Sequence, residues 1–274
     1  MKSIRNMNIL KIFKKKESQK EEISAFSAIS SQSISEETKN ETMKEQKQEQ
    51  QMESKSENVK VYNLIILDES GSMSAIYQEA LTGVNETLQT IRMAKEEHPE
   101  QEHFVTLVAF DTGHYNEIYK GTPAVKAADI IPEQYRPGGC TPLYDAMGRA
   151  ISDLRTHLDY IDYSSNKEDN VVLVTVITDG YENASREYSG PAIKALVEEM
   201  RKKGWVFTYI GANQDVDKVA ESMAINNRMA FRSTREGTQD MFMKENISRK
   251  KFFGKVSCRK SISKEAFEND FFAD

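Results

Sequence analysis

Asp68, Ser70 and Ser72 stand at alternate positions where an apolar run, Leu64-Ile65-Ile66-Leu67, gives way to Asp68-Glu69-Ser70-Gly71-Ser72. Every second side chain of a strand points the same way, and the loop leaving the strand can keep that convergence. One carboxylate and two hydroxyls are thereby gathered at a strand tip. They are hard oxygen donors, the ligands that a small dication such as Mg²⁺ takes. The stretch supplies none of the thiolates or imidazoles that zinc prefers.

Other segments must complete such a site, so their order along the chain matters. The apolar run over 59–68 reads as a buried strand. Ile76, Ala80, Leu81, Val84, Leu88 and Ile91 recur at helical spacing and predict a helix over 73–97, ended by His98-Pro99. Strands follow over 104–110 and 115–120, the second as a hairpin partner across the Thr112-Gly113 turn. Gly138-Gly139-Cys140-Thr141-Pro142 feeds a helix whose apolar face is Leu143, Met147, Ile151, Leu154 and Leu158. A strong strand over 170–178 closes at Asp179-Gly180. Then come a helix over 193–203, a strand over 205–210, a helix over 215–223, a short strand over 228–232 and a last helix over 236–252. Strands alternating with helices predict an α/β fold: a doubly wound, mostly parallel central sheet with helices on both faces. One antiparallel edge strand is expected. Ligands of such sheets bind beyond the carboxyl ends of the strands, at the switch in strand order. Asp68, Ser70, Ser72, Thr141 and Asp179 all fall at that edge.

Each residue has a structural alternative. Ser70 and Ser72 could cap the following helix, Thr141 could be an N-cap before Pro142, and Asp179-Gly180 is a common turn dipeptide. Their conjunction on one sheet edge favours a metal site. Asp111 reads as a turn residue before Thr112-Gly113. Glu69 points away by strand alternation. His98, His103, His114 and His157 lack zinc-like spacing.

The five residues reproduce a known pattern. The chain resembles a von Willebrand factor A-type domain carrying a metal-ion-dependent adhesion site: Asp-x-Ser-x-Ser after the first strand (Asp68, Ser70, Ser72), a Thr in a later loop (Thr141), and an Asp after the fourth core strand (Asp179). The resemblance runs over about 59–232 and implies a Rossmann-like fold binding Mg²⁺, with Mn²⁺ or Ca²⁺ as substitutes. It implies that Ser70 and Ser72 coordinate the ion directly, Thr141 directly or through water, and Asp68 and Asp179 directly or through coordinated waters and hydroxyls. One position then stays open for a Glu or Asp of a partner protein. Two carboxylates roughly neutralise the ion, whereas three or four would repel the partner's acid. In switchable members the last helix moves. The Thr141-Pro142-Leu143 context and the absence of a secretory signal look like the intracellular, bacterial members.

Composition divides the chain into three. Residues 17–58 are mostly Glu, Lys, Gln, Ser and Thr, too polar to bury a core. The expectation is a disordered tail over 1–58, a domain over 59–252 and a C-terminal tail over 253–274. The overall mean hydropathy, −0.63, reflects that polar share. A net charge of −6 gives no footprint for nucleic acid. Residues 1–16 are basic and moderately apolar; a solvated tail is favoured over a membrane-surface contact. Cys140 and Cys258 make no disulfide framework, which points to a reducing compartment, the cytoplasm, with one bridge between them left open.

Two other functions compete with the binding module. A Mg²⁺-dependent phosphotransferase or hydrolase could use Asp68 as nucleophile, but such enzymes need a second Asp two residues on, where Ser70 stands, and no phosphate-cradling Gly-x-x-x-x-Gly-Lys-Ser/Thr is present. A scaffold could instead act through the N-terminal tail. The expectation is a protein that is not an enzyme.

Overall fold

β1 (Val59–Asp68) alternates its apolar residues between two cores, which makes it the centre of the molecule. Val61, Ile65 and Leu67 face one cluster; Tyr62, Leu64 and Ile66 face the other. The structure is a computed structural model and describes residues 59–165, 170–261 and 263–272. The tail expected over 1–58, with its basic start, lies outside the described residues.

The sheet has six strands in the order β3-β2-β1-β4-β5-β6. These are β2 (Gln101–Phe110), β3 (Tyr115–Pro123), β4 (Asn170–Thr178), β5 (Val206–Gly211) and β6 (Asn227–Ala230). β1 pairs in parallel with β2 and β4, β5 pairs in parallel with β4 and β6, and β3 alone is antiparallel, at the edge. The fold is therefore the doubly wound α/β sheet expected from the alternation of strands and helices. Strand order reverses direction between β1 and β4, which places there the crevice at which sheets of this kind bind ligands.

Helices α1 (Tyr77–Glu97) and α5 (Arg235–Ser257) cover one face, and α2 (Leu143–Ser165), α3 (Gly190–Lys202) and α4 (Val216–Ser222) the other. Two starts differ from the sequence reading. The helix expected from residue 73 begins as a 3-10 turn over Gly71–Ile76; at its start Ser70 N–H donates to the Asp68 carboxylate and Gly71 N–H to the Gly139 carbonyl. α3 starts at Gly190, with the Ser189 hydroxyl as its cap and Pro191 in its first turn, a start signal in Ser189-Gly190-Pro191.

The carboxyl end also extends further than its composition suggests. α5 runs on to Ser257, burying Phe253 and Val256. A short α6 (Lys264–Asn269) follows and closes the core: the Phe252 ring lies 5.1 Å from Phe267 and 5.8 Å from Phe271, centroid to centroid. Cys140 and Cys258 are both exposed free thiols, so the bridge left open by the sequence does not form. No helix among the described residues is long and apolar enough to cross a membrane.

α5 is fixed to the sheet by a buried polar cluster. Arg249 and Glu245, both fully buried, form an ion pair one helical turn apart. Arg249 also donates to Asn63 Oδ1 on β1 (2.9 Å) and to Thr175 Oγ1 on β4 (2.8 Å). Asn63 and Thr175 are the polar members of otherwise apolar strand faces.

Candidate metal centre

Register brings the two ends together. Leu67 pairs with Ile177, so Asp68 and Thr178 come next at the adjoining tips of β1 and β4. The Thr178 hydroxyl donates to Asp68 Oδ2 (2.6 Å), and Ser70 N–H donates to Asp68 Oδ1 (2.7 Å). Both oxygens of this fully buried carboxylate are thus engaged by the chain itself. Burial raises the Asp68 carboxyl from its ordinary 3.8 to about 6; the Thr178 and Ser70 hydrogen bonds pull it down, and the nearby Asp179 charge pushes it up.

From Asp68 the hydrogen bonds run through the serines. Ser70 Oγ and Ser72 Oγ are 3.1 Å apart, and Ser72 Oγ donates to Asp179 Oδ1 at 2.5 Å. Four of the five residues expected to form the site are linked in this way. Neither serine caps the following helix through its side chain, which removes the structural alternative for them.

Thr141 joins through its loop. Its N–H donates to Asn183 Oδ1 (2.8 Å), and Asn183 N–H returns to the Thr141 carbonyl (3.1 Å). The N-terminal N–H groups of α2 are taken by others: Tyr144 N–H by Glu182 Oε2 (2.9 Å) and Asp145 N–H by Ser185 Oγ (3.1 Å). The N-cap reading of Thr141 is therefore replaced by a cross-loop cap from 182–185. A Cβ built on Gly180 would sit 3.6 Å from Thr141 Oγ1 and 3.7 Å from Ser72 Oγ. These two hydroxyls thus border one small space, left open because residue 180 has no side chain.

Neighbouring loops hold the cup in shape. Gly139 has φ +62°, and a Cβ there would meet Thr112 Oγ1 at 2.5 Å; glycine alone fits this turn. Glu69 turns away as alternation requires and accepts from Arg136 N–H; burial raises its carboxyl, which that bond partly offsets. Asp111 accepts from Gly113 and His114 N–H (2.6 Å each), as a turn residue does. His103 is buried against Phe253, 4.4 Å between ring centroids, far from any ligand role.

Four contributors escaped the sequence reading. Thr178 holds Asp68. Tyr135 OH donates to the Asp68 carbonyl (2.9 Å). Asn213 Nδ2 donates to the Asp179 carbonyl (3.1 Å), from a left-handed φ of +56° that Asn tolerates. Ser233 Oγ donates to Asp179 Oδ2 (3.1 Å). For Thr178 and Ser233 a signal existed: polar residues at or just past the carboxyl ends of β4 and β6.

The donor set fits a hard dication. It offers the Thr141 and Ser72 hydroxyls beside a gap that a methyl would fill, with the Ser70 hydroxyl and the Asp179 carboxylate hydrogen-bonded to Ser72 and the Asp68 carboxylate to Ser70 N–H. No group of three or more His, Cys, Asp or Glu suited to a metal is found among the described residues.

Among solved structures the chain is similar to the SpRpn10 VWA domain (10% identity, TM-score 0.41, covering 67% of this chain and 93% of that one). It is similar also to proximal thread matrix protein 1 from the mussel byssus (12%, 0.43, 70% and 46%), and to the pilus adhesin SpaC from Lactobacillus rhamnosus GG (13%, 0.45, 72% and 31%). The chain thus spans less than half the length of the latter two. No curated protein matches the sequence. The family model for the von Willebrand factor type A domain matches residues 64–244, and the chain belongs to that family.

Proposed function

We propose that this domain is a metal-dependent protein-binding module, not an enzyme. It holds Mg²⁺, or Mn²⁺ or Ca²⁺ in its place, in the cup of Asp68, Ser70, Ser72, Thr141 and Asp179, and captures a Glu or Asp of a partner protein there. The observation that carries this reading is the continuous chain Asp68–Ser70–Ser72–Asp179, with the Thr141 hydroxyl across the Gly180 gap. Bound there, the dication would supply an electrophilic centre for a carboxylate. The chain's own part is to orient Ser70, Ser72 and Thr141 oxygens inward while Asp68 and Asp179 accept hydrogen bonds behind them. Neutral hydroxyls in front leave the site attractive to an incoming acid, where more carboxylates would repel it.

Asp68 is poorly placed as a nucleophile. It is fully buried, and both oxygens are already hydrogen-bonded. The residue two on is Ser70, so no second acid stands ready as proton donor. The overall charge of −6 favours a protein over a nucleic acid as partner. Two exposed free thiols favour a reducing compartment such as the cytoplasm.

Isothermal titration of the full chain with Mg²⁺ and Mn²⁺, and affinity capture with and without EDTA, test the reading. The parent is expected to bind the ion and to lose partners in EDTA; Asp68→Ala is expected to lose both properties and keep the parent's circular dichroism. Metal-dependent capture by Asp68→Ala equal to the parent's would remove this cup as the functional site.

A further inference from the structure

Asp179 is pinned on every side. Ser72 donates to its Oδ1 and Ser233 to its Oδ2 (3.1 Å). Asn213 holds its carbonyl, and Gln214 Nε2 holds the next one, that of Gly180 (3.1 Å each). Ser233 is itself fixed by the turn into α5. Phe231 N–H bonds the Gly211 carbonyl (2.9 Å) and Thr234 N–H the Arg232 carbonyl (2.7 Å). The Thr234 hydroxyl caps α5 through Gly237 N–H (3.1 Å). A Cβ on Gly237 would lie 2.3 Å from the Arg232 carbonyl oxygen, so the first turn of α5 sits directly on this segment.

We propose that Ser233 is a positioning residue of the metal centre: its hydroxyl restrains the Asp179 carboxylate from bonding the ion directly, and so keeps a coordination position free for the partner's acid. This rests on the metal-binding reading above. The physics is a choice between two places for one negative charge. A carboxylate bound to the ion adds its full charge there and opposes a second carboxylate arriving from outside. A carboxylate shared between two hydroxyls serves only as their acceptor. Asp179 is buried, with 2% of its surface exposed. Without Ser233 its Oδ2 is a charged oxygen lacking that donor, which is costly in the interior. A dication held beside Ser72, whose hydroxyl already bonds this carboxylate, is then a ready substitute.

Removing a hydroxyl from the site should therefore tighten the metal, the opposite of what loss of a merely structural contact would do. The probe is Mn²⁺, titrated into the full-length parent, Ser233→Ala, Ser233→Gly and Ser233→Thr. Affinity is read by electron paramagnetic resonance, and bound waters are counted by line broadening in ¹⁷O-water. Ser233→Ala and Ser233→Gly are expected to bind Mn²⁺ about ten-fold more tightly than the parent and to hold one water fewer; Ser233→Thr, which keeps a hydroxyl, behaves as the parent. Adding Asp179→Asn to Ser233→Ala abolishes the gain. An unchanged water count in both Ser233→Ala and Ser233→Gly overturns the proposal, whatever the affinity does. A parent that binds no Mn²⁺ overturns the metal-binding reading itself, which is a separate result.

Discussion

Arg249→Met tests how α5 is held. The parent guanidinium is fully buried; it bonds Glu245 Oε1 (2.8 Å from Nε), Asn63 Oδ1 (2.9 Å) and Thr175 Oγ1 (2.8 Å). Methionine replaces the stem but not the charge. Glu245 is then a buried anion whose remaining partner is the Thr87 hydroxyl at 3.4 Å. Breaking a buried pair from one side costs about 3–5 kcal/mol. The loss should be plain against a total of roughly 5–15 kcal/mol for a domain. Glu245→Leu added to Arg249→Met removes the stranded charge. What remains is mainly Asn63 Oδ1 without a donor, about 1–3 kcal/mol, because Thr175 Oγ1 keeps its contact with Thr208 Oγ1 (3.0 Å). The double variant should thus regain about 2 kcal/mol over the single one. Urea denaturation followed by far-ultraviolet circular dichroism measures both. A single variant that loses under about 1 kcal/mol, or a double variant no more stable than the single, refutes the account.

Gly180→Ala is expected to keep the fold, since its Cβ would meet Thr141 and Ser72 oxygens at ordinary contact distances of 3.6 and 3.7 Å. It fills the gap between them, so Mg²⁺ affinity by titration calorimetry should fall at least about ten-fold, with little change in thermal stability. Asp68 gives a pH signature. Its carboxyl is raised from 3.8 to about 6, so the fold holds its proton more tightly than the unfolded chain does. The stability this contributes is fully present below about pH 4. It is lost as pH rises through about 6, by roughly 3 kcal/mol in all. Excess Mg²⁺ should flatten that loss, because the ion binds the ionised form; thermal denaturation from pH 4.5 to 7.5, with and without MgCl₂, checks it. Equal slopes in the two series count against Asp68 as a group that serves the metal.

Much of this architecture could be read before any coordinates, for physical reasons that also mark where reading stopped. Strand period and helical spacing are local, so β1, β4 and the α1 face show directly in Leu64-Ile65-Ile66-Leu67, in Val171 to Ile177, and in Ala80, Val84, Leu88 and Ile91. The switch-point rule then assigns Asp68 and Asp179 to one edge, because parallel strands end there together. What stayed hidden depends on partners far apart in sequence. Asn63 and Arg249 meet across 186 positions, and nothing local to either demands the other. Each still left a trace. Asn63 and Thr175 interrupt faces that are otherwise aliphatic, and a polar side chain on such a face must find a partner or its burial is costly. The neighbouring helix therefore had to bring a polar group to that spot, and α5 brings Arg249. By the same logic, a hydroxyl just past the end of β6, as in Ser233, lies where the crevice opens. The helix expected from residue 73 is α-helical from Tyr77 and opens as a 3-10 turn over Gly71–Ile76; apolar spacing such as Ile76, Ala80 and Val84 does not separate the two, because they differ by only one residue in hydrogen-bond reach.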